Sequence, residues 1–140
     1  MRKSIIILLV AICLSNCKDD TEEPNPKLES IVGKWRLIEK EVEINGQKMW
    51  QKASDRIPYT FSINPAGVVL DNAGLPACCG PKSFMLNGIV VKIESATELP
   101  INPTCATVNC APCDVWGMDQ KGNELIISYC ELERAKFIKE

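Results

Sequence analysis

Six cysteines are concentrated in the second half of the chain, and they limit its folding more than any other feature. They are Cys78, Cys79, Cys105, Cys110, Cys113 and Cys130. Four of them lie in loops that contain Gly or Pro, at 75–81 and 109–113. A chain of 140 residues forms one small domain. Loops of this kind bury little core, so covalent links between them contribute about 2 to 4 kcal/mol each. The oxidation state of these thiols depends on the compartment.

The first 16 residues have the pattern of an export signal. Arg2 and Lys3 precede an apolar run from Ile5 to Leu14, and polar residues follow at once. A membrane-spanning helix needs about 20 apolar residues, so this shorter run predicts a cleaved signal peptide. The six later cysteines are then exported, and their even number predicts three disulfides. A bond between the adjacent Cys78 and Cys79 would be strained, and the other pairings stay open.

The tetrad Leu14-Ser15-Asn16-Cys17 resembles the lipobox of bacterial lipoproteins. The resemblance implies that Cys17 carries a lipid, starts the mature chain and anchors it in a membrane. The polar, acidic residues that follow Cys17 predict a flexible tether, which we place at 17–28. They also resemble a signal for transport to the outer face of the outer membrane, with a plain spacer as the alternative. We expect a protein anchored in the outer membrane, on its periplasmic face or at the cell surface.

Residues 29–140 are expected to form one all-β domain made of about eight short strands. Residues 59–63 alternate with period two before a turn, and Asn87-Gly88 predicts a hairpin whose second strand directs Ile89, Val91 and Ile93 inward. Further strands are predicted at 68–70, 115–118, 125–130 and 134–139.

Residues 31–44 fit either a helix or a strand. Ile31, Trp35, Ile38 and Val42 share one helical face, but Gly33 and the terminal Asn45-Gly46 favour a strand that continues into a hairpin. As a strand, the apolar set changes phase after Leu37, and Ile38, Val42 and Ile44 follow on even positions. This change of phase predicts a β-bulge or a bend near Leu37.

Gly33-Lys34-Trp35, at the start of the first strand, resembles the Gly-x-Trp motif of the lipocalin superfamily. With the strand pattern that follows, residues 29–140 are similar to the lipocalin-like domains of small bacterial lipoproteins. The resemblance implies an eight-stranded antiparallel up-and-down barrel with disulfide-clipped loops. It also implies that Trp35 closes one end of the barrel beneath a basic residue, and Arg134 is the candidate for that residue.

The residues offer little for catalysis. Without histidine, Ser-His-Asp and Cys-His mechanisms and Cys₂His₂ zinc sites are excluded. Cys110-Ala111-Pro112-Cys113 could form a redox dithiol, and Cys78, Cys79, Cys110 and Cys113 could hold zinc, but disulfides compete with both. Glu39, Glu41 and Glu43 are expected on the solvated face of a strand. The formal charge of −2, without a basic cluster, argues against nucleic acid. We expect a monomer that is not an enzyme and has no metal site or cofactor.

Two binding functions follow from this sequence. The first is a barrel that holds a small apolar ligand, lined by Tyr59, Phe61, Val91, Ile93, Leu125 and Ile127. The second is a structural or inhibitory domain whose cysteine-rich loops, 71–82 and 101–117, present Leu75, Pro76, Val108 and Trp116 to a protein partner. A thiol oxidoreductase at Cys110 and Cys113 is the third alternative.

Overall fold

The computed structural model describes residues 27–95, 97–130 and 133–140. The predicted signal peptide, Cys17 and the predicted tether up to residue 26 lie outside the described residues. Leu28, which the sequence analysis assigns to the tether, is buried with only 1% of its surface exposed. The folded part therefore includes Leu28, one residue earlier than predicted.

The described residues form nine strands and one short 3-10 helix. In chain order they are β1 Gly33–Ile44, β2 Gln47–Lys52, β3 Thr60–Ile63, β4 Val69–Leu70, β5 Ser83–Leu86, β6 Ile89–Lys92, the 3-10 helix Pro103–Thr107, β7 Val115–Lys121, β8 Glu124–Tyr129 and β9 Glu133–Lys139. The all-β class and the predicted strands are confirmed.

All nine strands belong to one sheet, in the order β4-β3-β1-β9-β8-β7-β5-β6, with β2 also paired to β1. The sheet curls strongly into a half-barrel and does not close. The predicted closed, antiparallel up-and-down barrel is therefore wrong. After β6 the chain crosses over and returns as β7 on the other side of β5, and β5 and β7 run parallel. This crossover leaves β6 at one edge of the sheet, with β4 at the other.

The hairpin turns follow the predicted chemistry. Asn87 and Gly88 have φ angles of 48° and 83°, which are the positive values that a two-residue type I′ turn requires. Asn45-Gly46 makes the equivalent turn between β1 and β2. In the predicted inward set of β6, Val91 is buried and Ile93 packs against the core, but 58% of Ile89 is exposed because β6 is an edge strand.

The predicted bulge in β1 is confirmed. The pairing of β1 with β9 shifts register between Leu37 and Glu39. Before the bulge, Trp35 and Leu37 point into the core. After the bulge the even positions take that face, and Lys40 lies opposite the buried Ala135. Ile44 has 49% of its surface exposed, since the β1–β2 hairpin extends beyond the start of β9 as an arm.

The core fills the concave side of the sheet. Its largest fully buried side chains include Trp35, Phe84 and Phe137. The Trp35 indole N–H donates a hydrogen bond to the carbonyl oxygen of Ile31, 2.8 Å away, so this buried polar group is satisfied. The segment before β1 therefore packs across one end of the half-barrel.

Candidate functional site

A groove of about 580 Å³ opens on the concave side of the sheet. It lies at the end of the sheet where β1 extends beyond its pairing with the start of β9. Its floor is apolar and its rim carries charged groups. It is lined by Leu37, Lys40, Glu41, Val42, Tyr59, Ala77, Cys78, Cys79, Trp116, Tyr129, Glu133, Arg134, Ala135 and Phe137. Its volume lies within the usual range for small-molecule sites, about 300 to 1,000 Å³.

Disulfides hold the loop that covers one side of this groove. Cys78 pairs with Cys105 and Cys79 with Cys110, with Cα atoms 5.0 and 5.4 Å apart. The third bond joins Cys113, just before β7, to Cys130, just after β8. The three predicted disulfides are confirmed, and their pairing is now known. The loop carrying Cys78 and Cys79 is thereby fixed against the rest of the fold.

These pairings remove two of the chemical alternatives. Cys110 and Cys113 belong to different disulfides, so the Cys-x-x-Cys sequence is not a redox dithiol. The four cysteines considered for zinc are all oxidised and cannot act as thiolate ligands. Within the described residues no group of three or more His, Cys, Asp or Glu side chains could hold a metal ion.

Aromatic side chains form one wall of the groove. Trp116 on β7 and Tyr129 on β8 are cross-strand partners, and their rings meet edge to face with centroids 4.8 Å apart. The ring centroid of Tyr59, just before β3, lies 6.4 Å from the ring centroid of Phe137. Burial raises the pKa of the Tyr129 phenol, and the Glu133 carboxylate and the ionised form of Tyr59 raise it further. Burial also raises the pKa of Tyr59, so both phenols stay neutral at physiological pH.

The charged groups at the rim differ in their pairing. The Glu41 carboxylate lies 3.4 Å from Arg134 and 3.6 Å from Lys48, so its charge is compensated. Lys40 and Glu133 form no ion pair with any residue in the described ranges. Among the described residues, the rim therefore offers one unpaired cation, Lys40, and one unpaired carboxylate, Glu133.

The predicted ligand-lining residues are mostly core residues. Of the six, only Tyr59 lines the groove. Phe61, Val91, Leu125 and Ile127 are buried, and Ile93 packs against the core. These side chains fill the lower part of the half-barrel, and the groove opens at the end near the disulfides. Sequence reasoning did not assign Leu37, Val42, Tyr129, Ala135 and Phe137 to the site, although the even phase of Val42 after the bulge was a usable signal.

The predicted contact between Arg134 and Trp35 is also corrected. Arg134 lies over the Trp50 ring, 5.4 Å from its centroid, on the convex face. Lys139 is the cation over Trp35, with its ammonium nitrogen 5.5 Å from the ring centroid. Arg134 and Trp35 lie on opposite faces of the sheet, because their positions in β9 and β1 differ in phase. Trp35 and Lys139 share one face as cross-strand partners.

The partner-binding residues do not form one exposed patch. Trp116 is half-buried against Tyr129 and faces the groove, and Leu75 and Pro76 are half-buried. Val108 exposes 46% of its surface.

Glu39 and Glu41, expected on a solvated face, are instead half-buried. Glu39 forms an ion pair with Lys136, and Glu41 forms one with Arg134.

Comparison of the chain with protein-family models, with curated proteins and with solved structures gave no match. Among the described residues, no helix has the length and apolar character needed to cross a membrane.

Proposed function

We propose that this protein is a ligand-binding module that a lipid on Cys17 anchors to a bacterial outer membrane. Its groove takes up a small ligand with an apolar portion. The observation that carries this proposal is the combination of an apolar floor, made by Leu37, Ala135 and Phe137, with the aromatic wall around Tyr129. Apolar ligands bind in concave sites of this composition because contact with such walls removes apolar surface from water.

The resemblance to lipocalin-like lipoproteins also implies binding of a small apolar ligand. Two features support it: the first and last strands pair, and a tryptophan beneath a basic residue lies at the end opposite the groove. The disulfides support the export part of the proposal, since such bonds form and persist outside the cytoplasm.

The start of the described chain and the groove lie at opposite ends of the strands. The described chain starts beside the beginning of β1 and the end of β9, where Lys139 donates a hydrogen bond to the carbonyl of Ser30. The groove lies beside the later half of β1 and the start of β9. The nine residues 18–26 can span at most about 30 Å. The groove is therefore expected to open away from the membrane that holds the lipid.

Ligand uptake is tested with N-phenylnaphthylamine, an apolar dye whose fluorescence rises in apolar surroundings. The full chain carries Cys17→Ser, which prevents lipidation and leaves the described residues unchanged. We expect saturable binding that Val42→Trp weakens about tenfold or more, because the larger ring fills space in the groove. Lys52→Trp, on the convex face of the same arm, is the matched control. Equal binding by both variants would contradict the proposal.

The lipid anchor is tested separately. Expression in a Gram-negative host with labelled palmitate should label the unmodified chain and not Cys17→Ser. Label on both chains, or on neither, would show that Cys17 is not lipidated.

A further inference from the structure

The charged rim and the aromatic wall of the groove have a fixed geometric relation. Trp116, Tyr129 and Glu133 are successive cross-strand partners on β7, β8 and β9, so they form one row across the sheet. All three line the groove. Directly opposed residues in a sheet have Cβ atoms about 4.5 to 5.5 Å apart. A carboxylate therefore lies beside two aromatic rings that meet at nearly a right angle.

A row of this composition suits a weakly hydrated cation. The faces of Trp and Tyr rings attract cations, and quaternary ammonium groups bind in boxes made of such rings. The Glu133 carboxylate adds an unpaired negative charge beside Tyr129, and its effect on the pKa of that phenol reflects their proximity. The apolar floor below reduces contact of a bound ligand with water. Loss of hydration costs a methylated ammonium less than a primary ammonium, because the methylated group is more weakly hydrated.

Lys40 supplies the opposite charge one step away. The bulge in β1 places it opposite Ala135 on the concave side, whereas without the shift it would lie on the convex side. Ala135 is two residues after Glu133, so Lys40 and Glu133 are diagonal neighbours, with Cβ atoms expected about 7 to 8 Å apart. The other cations on β1, β2 and β9 near this point, Lys48, Arg134 and Lys136, already form ion pairs with Glu41 or Glu39.

We propose that the groove recognises a zwitterionic head group of the phosphocholine type. Its quaternary ammonium lies against Trp116, Tyr129 and Glu133, and its phosphate pairs with Lys40. This inference rests on the proposed binding function and names the chemistry of the ligand. The apolar floor accommodates the methyl groups and the start of any attached chain, so the head group is the same for a free phosphocholine ester and for a lipid.

The test is calorimetric titration of the full chain carrying Cys17→Ser with free phosphocholine. Choline, inorganic phosphate and dimethylbutyl phosphate, in which carbon replaces the charged nitrogen, are the comparison ligands. We expect phosphocholine to bind at least about tenfold more tightly than each of them. Equal affinity for phosphocholine and dimethylbutyl phosphate would overturn the inference, since the positive charge would then play no part.

Two variants separate the roles of the charges. Lys40→Met should weaken phosphocholine about tenfold and leave choline unchanged, whereas Glu133→Gln should weaken both. Lys52→Met, on the convex face of the neighbouring strand, should change neither. Loss of affinity with Lys52→Met equal to that with Lys40→Met would contradict a specific role for Lys40.

Monomeric lysophosphatidylcholine distinguishes the two sources of the head group. Tight binding of this lipid that depends on Lys40 and Glu133, with weak binding of free phosphocholine, identifies a lipid ligand. Absence of binding of both ligands, while N-phenylnaphthylamine still binds, overturns the head-group inference and leaves the proposed function standing. Absence of dye binding as well overturns both.

Discussion

The ammonium group of Lys139 lies 5.5 Å from the centre of the Trp35 ring and links the last strand of the sheet to the first. The two residues are cross-strand partners on β9 and β1. The same ammonium donates a hydrogen bond to Ser30, in the segment that packs across this end of the half-barrel. One side chain thus joins the last strand to the start of β1 and to the segment before it, about 100 residues earlier in the chain.

Replacing Lys139 tests this contact. Lys139→Met should lower the free energy of unfolding by about 0.5 to 2 kcal/mol, because the cation over the indole is lost. Lys139→Arg should retain most of the stability. Urea unfolding measures both, with Lys121→Met as the control, since Lys121 forms no ion pair or ring contact with the described residues. A loss no larger than that of the control would show that the contact adds nothing.

The two disulfides beside the groove should stabilise the fold non-additively. Cys78–Cys105 and Cys79–Cys110 join the same two loops, with sequence separations of 27 and 31. Either bond alone removes most of the conformational entropy of the unfolded chain that the two bonds remove together. We expect each single pair replaced by Ala to cost about 1 kcal/mol and both pairs together about 4 kcal/mol, which exceeds the sum of the two single losses.

Guanidinium unfolding of the two single-pair variants and the double variant provides this comparison. Peptide mapping under non-reducing conditions checks the pairing in the parent chain. A double variant that loses only the sum of the two single losses would contradict the shared-loop account.

Alanine substitutions at Gly67 and Gly74 distinguish the cost of backbone strain from the cost of steric conflict. Both have positive φ angles, +85° and +77°. A Cβ on Gly67 would lie 2.9 Å from the Leu28 side chain, whereas one on Gly74 would meet nothing within 4 Å. Gly74→Ala should therefore cost about 1 kcal/mol from strain alone, and Gly67→Ala about 1 to 3 kcal/mol more. Equal losses in thermal unfolding would mean that Leu28 moves aside freely.

Asp71 gives the loop before Cys78 a pH-dependent contribution to stability. Its carboxylate accepts hydrogen bonds from the backbone N–H groups of Leu75 and Ala73 and from the Asn102 side chain, and these bonds lower its pKa. A lowered pKa in the folded state contributes stability above the unfolded value of about 3.9. That stability is lost as the pH falls through the lower folded value.

The variant Asp71→Asn should therefore be less stable than the parent at pH 7, and the difference should shrink below about pH 4. Thermal unfolding at several pH values measures this difference. The pKa of Glu140 is also lowered, by Lys34 and Arg36, but this group is present in both proteins and cancels. A difference independent of pH would show that the Asp71 charge is not involved.

The predicted strands follow from local patterns that the structure preserves. Asn87-Gly88 specifies its turn through backbone conformation, and the change of phase after Leu37 specifies the bulge, because each depends on neighbouring residues alone. The closure of the barrel was not predictable in this way. The parallel pairing of β7 with β5 depends on where a long connection returns, and residues 93–114 carry no local signal for that.

The features of the candidate site also separate into those set by local sequence patterns and those set by tertiary packing. Local sequence patterns were enough to predict that the six later cysteines form disulfides, that the chain forms strands, and that Trp35 is a core residue. The pairing of the cysteines, the cation over Trp35, and the meeting of Lys40, Tyr129 and Glu133 at one groove depend on the folded arrangement of the whole sheet. This difference arises because the pattern of a strand fixes only the alternation of its own side chains. The neighbours of those side chains depend on strand order and register, which the packing of the whole sheet selects.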